Sequence, residues 1–286
     1  MFSKNKWLIS LLAVALFSVT ACSTTKTPTT QSVSTTQAVP PMPQVPVLQS
    51  FAEMAPKEIE TNRQYVESQI VKKDGKTKYF FNQDKDLVKK KVANGYYRVV
   101  LGKTAAGNCA VQDFYADTNT KKSEPFIVAK KDCNILYRDG YDGAVILYDK
   151  QQHLEGILIH FKDGKAINAL AGDNDFTMYI DIADEPKNTI IEKANDFGMV
   201  FKYVFNNNEI QEFSAFMPGD SINEPNRLIV MKIRYVNGKA DPANSYFWRD
   251  GEGMAYNQEL LDYTIKKGEK RISNATDILR TAKGLE

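Results

Sequence analysis

Hydropathy divides the chain into five stretches. Trp7 to Val19 is almost continuously apolar, broken only by Ser10 and Ser18. Ser23 to about Leu48 is Ser, Thr, Gln and Pro with almost no charge. Such a stretch buries too little surface to offset its chain entropy, so residues 22–48 read as a disordered tether. Pro40, Pro41, Pro43 and Pro46 stiffen its far end, and a chain of this length reaches on the order of 30 Å. From Ser50 to about Ile70 a helix is predicted. Pro56 is placed in its first turn, Glu58, Glu60, Arg63 and Glu67 on polar faces, and Ile59, Tyr65, Val66 and Ile70 in a partial apolar stripe. After Lys72 short apolar and aromatic runs alternate with turn residues, the pattern of an antiparallel meander. In the clearest run Phe176, Met178, Ile180 and Ile182 point one way, and Thr177, Tyr179 and Asp181 the other.

The C-terminus returns to helical spacing. Asn257 is placed as the cap of a helix through Leu260, Leu261, Tyr263 and Ile265, with Gly268 as its stop. Ser273 or Asn274 would cap a second helix through Ile278, Leu279 and Ala282 to Gly284. The expected fold is mainly β (α+β): an antiparallel meander of hairpins with an N-terminal helix and two C-terminal helices. It would form one globular domain over residues 49–286, the helices covering a face or edge of the sheet. Asp74-Gly75, Asp163-Gly164 and Asn237-Gly238 each sit between strand-like runs, and each pair supplies the positive φ of a type I′ hairpin turn.

Two hairpin units share their letters. Gly143 to Tyr148 leads through a polar tip, Lys150 to His153, to Phe161 and Gly164. Gly198 to Tyr203 leads through Asn206 to Asn208 to Phe216 and Gly219. A third unit starts at Gly95-Tyr96-Tyr97, and shared turn chemistry alone also repeats such letters. The Gly143–Tyr148 strand with Asp163-Gly164-Lys165 resembles MORN-type hairpin repeats of bacterial lipoproteins and antitoxin-like proteins, over about residues 90 to 240. That resemblance implies a meander used as an interaction surface, with no catalytic residue in the repeat. The loop from Cys109 to Cys133 and the stretch from Asp184 to Asp196 depart from a regular repeat.

The apolar run near the start follows Lys4 and Lys6 and ends at Val19-Thr20-Ala21-Cys22. It is shorter than the roughly 20 residues of a spanning helix. The arrangement resembles the lipobox of bacterial lipoprotein signal peptides, with Val19 and Thr20 less usual at their positions. The resemblance implies removal of residues 1–21, acylation (palmitate-type chains) at Cys22, and a membrane contact through that anchor. Ser23, where an Asp retains lipoproteins in the inner membrane, resembles an outer-membrane lipoprotein in a Gram-negative cell. The folded domain would then lie in the periplasm or at the cell surface. With Cys22 lipidated, Cys109 and Cys133 remain as an even pair in an oxidising compartment. A disulfide between them is expected and would contribute roughly 3 kcal/mol in the chain-entropy account. Two buried free thiols are the alternative.

Charge narrows the partners. The chain has 37 basic and 35 acidic side chains, and loss of Lys4 and Lys6 leaves 35 of each. A neutral balance gives no long-range pull toward nucleic acid, and no nucleic-acid partner is expected. The chemistry-bearing residues are sparse. His153 falls in a hairpin tip, and His160 falls in a strand beside Leu158 with Ile157, Ile159 and Phe161 on the other face. Ser23 and Lys26 fit Ser-x-x-Lys but lie in the tether, where nothing holds a catalytic pair rigid. Gly251-Glu252-Gly253 lacks the third glycine of a phosphate cradle. Asp173, Asp175, Thr177 and Asp184 approach calcium-loop spacing, but Met178 stands where such a loop needs Gly, and a hairpin turn fits better. No catalytic residue, cofactor or metal is expected.

The leading expectation is a non-enzymatic cell-envelope lipoprotein presenting a β-rich surface to a protein or envelope partner. Tyr115, Tyr203, Tyr235, Tyr246 and Trp248 are candidate surface aromatics for it, with sheet packing as their other role. The alternative is a carrier of lipid or another hydrophobic ligand, which requires an apolar sheet face larger than the helices fill. An enzyme acting through paired carboxylates on glycans is a third reading.

Overall fold

The computed structural model describes residues 39–136, 140–195, 198–218, 228–256 and 258–283. The signal segment, Cys22, Gly219, the Asn257 cap and the Gly284 stop lie outside the described residues. The fold is mainly β, with two antiparallel sheets, as the hydropathy pattern predicts.

Helix α1 (Phe51–Gln69) opens the body. The Ser50 hydroxyl caps the Glu53 N–H, and the Glu53 carboxylate returns to the Ser50 N–H, a reciprocal capping box. This box starts the helix a turn earlier than Pro56 suggested, so Pro56 lies in the second turn.

The smaller sheet contains β1 (Ile70–Lys73), β2 (Lys78–Phe81), β3 (Leu87–Val88), β4 (Tyr96–Thr104), β5 (Cys109–Tyr115) and β6 (Phe126–Val128). Its order is β3-β2-β4-β5-β6, and β1 also pairs with β4. The Asp74-Gly75 pair therefore does not close a hairpin. Asp74 instead accepts hydrogen bonds from the Lys76 and Thr77 amides and the Thr77 hydroxyl. That turn carries the chain from one partner site on β4 to the next.

The larger sheet is a ten-stranded meander in which each strand pairs with its predecessor. Its strands are β7 (Gly143–Tyr148), β8 (Leu154–Lys162), β9 (Lys165–Gly172), β10 (Phe176–Asp181), β11 (Lys187–Ala194), β12 (Met199–Asn206), β13 (Glu209–Pro218), β14 (Leu228–Val236), β15 (Lys239–Arg249) and β16 (Glu252–Ala255). Asp163-Gly164 and Asn237-Gly238 both have paired positive φ values, 51° and 76°, and 51° and 73°, as type I′ turns demand. The sheets meet where residues 122–127 run along β7. Tyr148 N–H donates to the Lys122 carbonyl at 2.9 Å, and Tyr141 N–H to the Ile127 carbonyl at 2.7 Å.

Helix α2 (Gln258–Ala282) covers one face of the large sheet. Both C-terminal stretches expected to be helical are helical, and they join into one 25-residue helix. The expected break at Gly268 is absent because the buried stripe continues in phase across it, from Leu261 through Ala275 to Leu279. The sheet contact outweighs the roughly 1 kcal/mol that a mid-helix glycine costs. Met178, Ile180 and Ile182 lie in this core with Tyr203, Phe205, Phe213 and Ile233, and Phe176 packs against it. Glu192 accepts from Arg271 of α2 and from the Tyr203 hydroxyl, so a polar latch sits within the interface.

The other face has two covers. The first half of α1 packs Phe51 and Ala55 against Ala144, Ile146, Leu158 and Leu170, and its second half packs Val66 against Ala110 and Ile127 of the small sheet. Asn62 fastens it by donating to the Pro125 carbonyl at 2.8 Å and accepting from the Ala144 N–H at 2.7 Å. Farther along, the proline-rich end of the stretch read as a tether belongs to the folded body. The Trp248 indole donates to the Pro40 carbonyl at 3.2 Å, Met42 packs against the cluster of Val200, Phe216, Val230 and Tyr246, and Leu48 is buried. Its few apolar residues are enough because they enter a surface already formed by the sheet. No helix among the described residues is long and apolar enough to cross a membrane.

Candidate interaction surface

Strand alternation sends the side chains of the small sheet to two unlike faces. Inward go the buried Phe81 and, in one cluster with Val145 and Leu147 of β7, Val100, Val111 and the Cys109–Cys133 disulfide. Arg98 and Asp113 also face inward and form a buried two-pronged pair, at 2.7 Å and 2.8 Å. Arg98 further donates to the Ile135 carbonyl at 2.6 Å, and its guanidinium lies 5.3 Å from the Phe126 ring centre. These bonds satisfy a charge pair that burial alone would penalise.

Outward go Phe80, Tyr97 and Phe114. They stand in one cross-strand row, since Phe80 pairs with Tyr97 and Tyr97 with Phe114. The ring centres are 6.3 Å apart and tilted in the first pair, 5.0 Å apart and stacked in the second. Val88 extends the row at one end, and a bridge from Phe114 to Lys121 extends it at the other. All three rings are half-buried. The α1 cover stops at Leu101 and Ala110, short of this row.

Lysines surround the row. The Lys78 and Lys91 ammonium groups lie 5.6 Å and 5.3 Å from the Tyr97 ring centre, within cation–π reach. Lys91 also donates to the Asn119 side-chain oxygen at 2.6 Å. Lys89 and Lys90 are exposed beside them. No carboxylate among the described residues lies within ion-pair distance of Lys78, Lys89, Lys90 or Lys91. Burial raises the Tyr97 pKa, so its hydroxyl stays protonated. At the β2–β3 edge the row opens into a cleft of about 280 Å³ lined by Lys78, Tyr79, Phe80, Leu87, Val88 and Lys89.

Where the row reaches Lys121 a closed ionic cluster begins. Glu124 is buried and accepts from Arg63 at 2.7 Å and 2.8 Å, from Lys121 at 2.6 Å and from the Tyr148 hydroxyl at 2.6 Å. Burial alone would push its carboxyl pKa up, but these bonds outweigh it and hold the pKa at about 2. Burial and the Glu124 charge push the Tyr148 hydroxyl well above its ordinary value. The cluster joins α1, the segment before β6 and β7.

The residues expected to carry function fall elsewhere. Tyr115, Tyr203, Tyr235, Tyr246 and Trp248 are all buried, so the half-buried row of Phe80, Tyr97 and Phe114 is a different set. Tyr115 donates to the Tyr148 carbonyl, and the other four pack in the two cores of the large sheet. Cys109 and Cys133 form the expected disulfide, with Cα atoms 5.7 Å apart. His153 sits at the β7–β8 tip, 3.1 Å from Asp149. His160 shares its face with Leu158 and lies 3.2 Å from Glu58 of α1 beside a cleft of about 470 Å³. Burial lowers its pKa, while Glu58 draws it back up. Asp173 forms a turn with the Asp175 and Phe176 amides, and the Thr177 oxygen accepts from Phe51 N–H in the interior. That spends the hydroxyl a calcium loop would use. Among the described residues no three His, Cys, Asp or Glu side chains group in a way that would hold a metal ion.

The Phe80–Tyr97–Phe114 row escaped the sequence reading. Its signal was present as Lys89-Lys90-Lys91 followed by Tyr96-Tyr97. The chain matches no protein-family model, no curated protein and no solved structure.

Proposed function

We propose that this chain is a cell-envelope lipoprotein whose folded body is a non-enzymatic binding module for a protein or envelope partner. The observation that carries the reading is the row of Phe80, Tyr97 and Phe114, left uncovered by α1 and bordered by lysines without carboxylate partners among the described residues. Aromatic side chains at a surface supply large contact area at small entropic cost. The anchor half of the proposal rests on the segment ending in Cys22, and the Cys109–Cys133 disulfide suits an oxidising compartment. The likeness to MORN-type repeats belongs to the same proposal, and β7 with the Asp163-Gly164-Lys165 turn carries it, with positive φ at Gly143 and Gly164.

The carrier alternative needs an open apolar face on the large sheet. Helix α2 lies on that face with Leu261 and Leu279 fully buried, which favours the binding module. The test is in vivo cross-linking of the full lipoprotein, with mass spectrometry of what it captures. A stoichiometric envelope partner lost on Tyr97→Ala, together with release of Cys22→Ala in soluble form, is the expected result. Capture that is indifferent to Tyr97, or a Cys22→Ala protein still sedimenting with membranes, overturns the corresponding half. Lipid co-purifying in stoichiometric amount would instead select the carrier.

A further inference from the structure

We infer that the Phe80–Tyr97–Phe114 row binds a linear anionic polysaccharide of the envelope, such as a carboxylate-bearing glycan chain. This rests on the binding-module reading and names its partner. Four observations converge on it.

The first is charge. The chain as a whole is nearly neutral, yet residues 70–136 hold 14 Lys and Arg against 7 Asp and Glu. Asp113, Asp117 and Glu124 of this region are already bonded to Arg98, Lys150 and the Arg63–Lys121 pair. Asp113 and Glu124 are buried and Asp117 is paired at the surface, while Lys78, Lys89, Lys90 and Lys91 are exposed and have no carboxylate within ion-pair distance among the described residues. The second is the resting place of two of these lysines. Lys78 and Lys91 rest near the Tyr97 ring, a weak partner for a cation, and Lys91 adds a hydrogen bond to the neutral Asn119 side chain. An incoming carboxylate offers each a stronger bond.

The third is shape. Three rings in register across three strands, with centres 6.3 Å and 5.0 Å apart, make a strip rather than a patch, and the strip runs into the cleft lined by Lys78 and Lys89. A strip of this form follows a chain. Its rings are half-buried, so they do not project into a flat bilayer surface. The fourth is ring chemistry. The electron-rich ring faces attract the polarised C–H faces of sugar rings, while charges along the polymer meet the bordering lysines. Single-stranded nucleic acid also stacks on aromatic rings, but it binds through a dominant phosphate term that favours a strongly basic protein. The balanced charge of this chain does not supply one.

The test uses the full lipoprotein in neutral detergent, with polygalacturonate as the anionic probe, dextran as the neutral one and poly(dT) as the nucleic acid. Polygalacturonate is expected to bind, to weaken with added salt, and to bind at least about tenfold tighter than dextran. Tyr97→Ala should lose about tenfold, and Lys78→Gln with Lys91→Gln a similar factor. The lysine variant changes exposed side chains only and keeps the test valid if Tyr97→Ala fails to fold. Equal binding of polygalacturonate and dextran, or unchanged binding by the folded lysine variant, overturns the inference. Tighter binding to poly(dT) overturns it in favour of nucleic acid. If no polymer binds but Tyr97→Ala still loses a cross-linked protein, the polysaccharide assignment falls and the binding module stands. If both signals are absent, both fall.

Discussion

Glu124 is the place where folding and acid sensitivity meet. Its carboxylate is buried, 1% exposed, and ties together α1, the segment before β6, and β7. Lowering its pKa from an ordinary 4.5 to about 2 corresponds to a linkage contribution of at most about 3 kcal/mol. Arg63 is 45% exposed, so water screens part of that bond, and about 2 kcal/mol is the expected net figure. The sign follows from the direction of the shift. A carboxyl with a depressed folded-state pKa stabilises fully above its unfolded value and loses that contribution as pH falls toward its folded value. The window is therefore about pH 4.5 down to about 2. Glu124→Gln removes the charge and keeps the shape. Urea unfolding of both proteins, followed by Trp248 fluorescence and far-ultraviolet circular dichroism, measures the difference at pH 7, 4.5, 3.5 and 2.5. Coincident transitions from the two probes establish two-state unfolding. The variant should be less stable by about 2 kcal/mol at pH 7, and the gap should close steadily below pH 4.5. A gap that is constant over this range, or absent at neutral pH, refutes the assignment of the stabilisation to the ionised Glu124.

Four further outcomes are expected. Thiol alkylation of the unreduced protein should label neither Cys109 nor Cys133, and reduction should lower the urea midpoint by the equivalent of about 3 kcal/mol for the loop they close. Trp248→Phe removes the indole bond to the Pro40 carbonyl, so limited proteolysis should cut within residues 39–49 faster than in the parent while the body stays resistant. The Tyr235 hydroxyl is buried with no hydrogen-bond partner among the described residues, and burial raises its pKa to about 12. Tyr235→Phe should therefore be stabilising by up to about 1 kcal/mol in urea denaturation, and a loss of similar size would reveal a partner. At Gly95 a Cβ would meet the Phe81 carbonyl oxygen at 2.2 Å, so Gly95→Ala should cost about 2 kcal/mol or more, read as a drop in melting temperature.

Much of the fold was legible because period-two alternation is a strong signal. Phe176 to Ile182 put Met178, Ile180 and Ile182 into the core and Thr177, Tyr179 and Asp181 opposite, as their spacing predicts. Asp163-Gly164 and Asn237-Gly238 were legible because few pairs accept two successive positive φ values. Asp74-Gly75 misled because a side-chain turn uses the same letters. The site was harder for a different reason. Alternation separates two faces of a strand but does not say which face another element covers. Tyr203 and Tyr235 lie under α2, and Trp248 lies under residues 39–48, so candidates that looked fit for a surface are interior. Phe80, Tyr97 and Phe114 have the same spacing and stay uncovered, a fact fixed by where α1 ends and not by their own sequence.

That distribution of cover is itself an argument for the surface. An apolar face of a sheet must be buried or be used. On the large sheet α2 takes one face, and α1 with the Pro40–Leu48 stretch takes the other, so its aromatics are accounted for by packing. The same stretch brings residues 39–48 into the body, which the hydropathy pattern places from about residue 49. The small sheet's outer face takes no part in these contacts, and the row of Phe80, Tyr97 and Phe114 stays outside both covers.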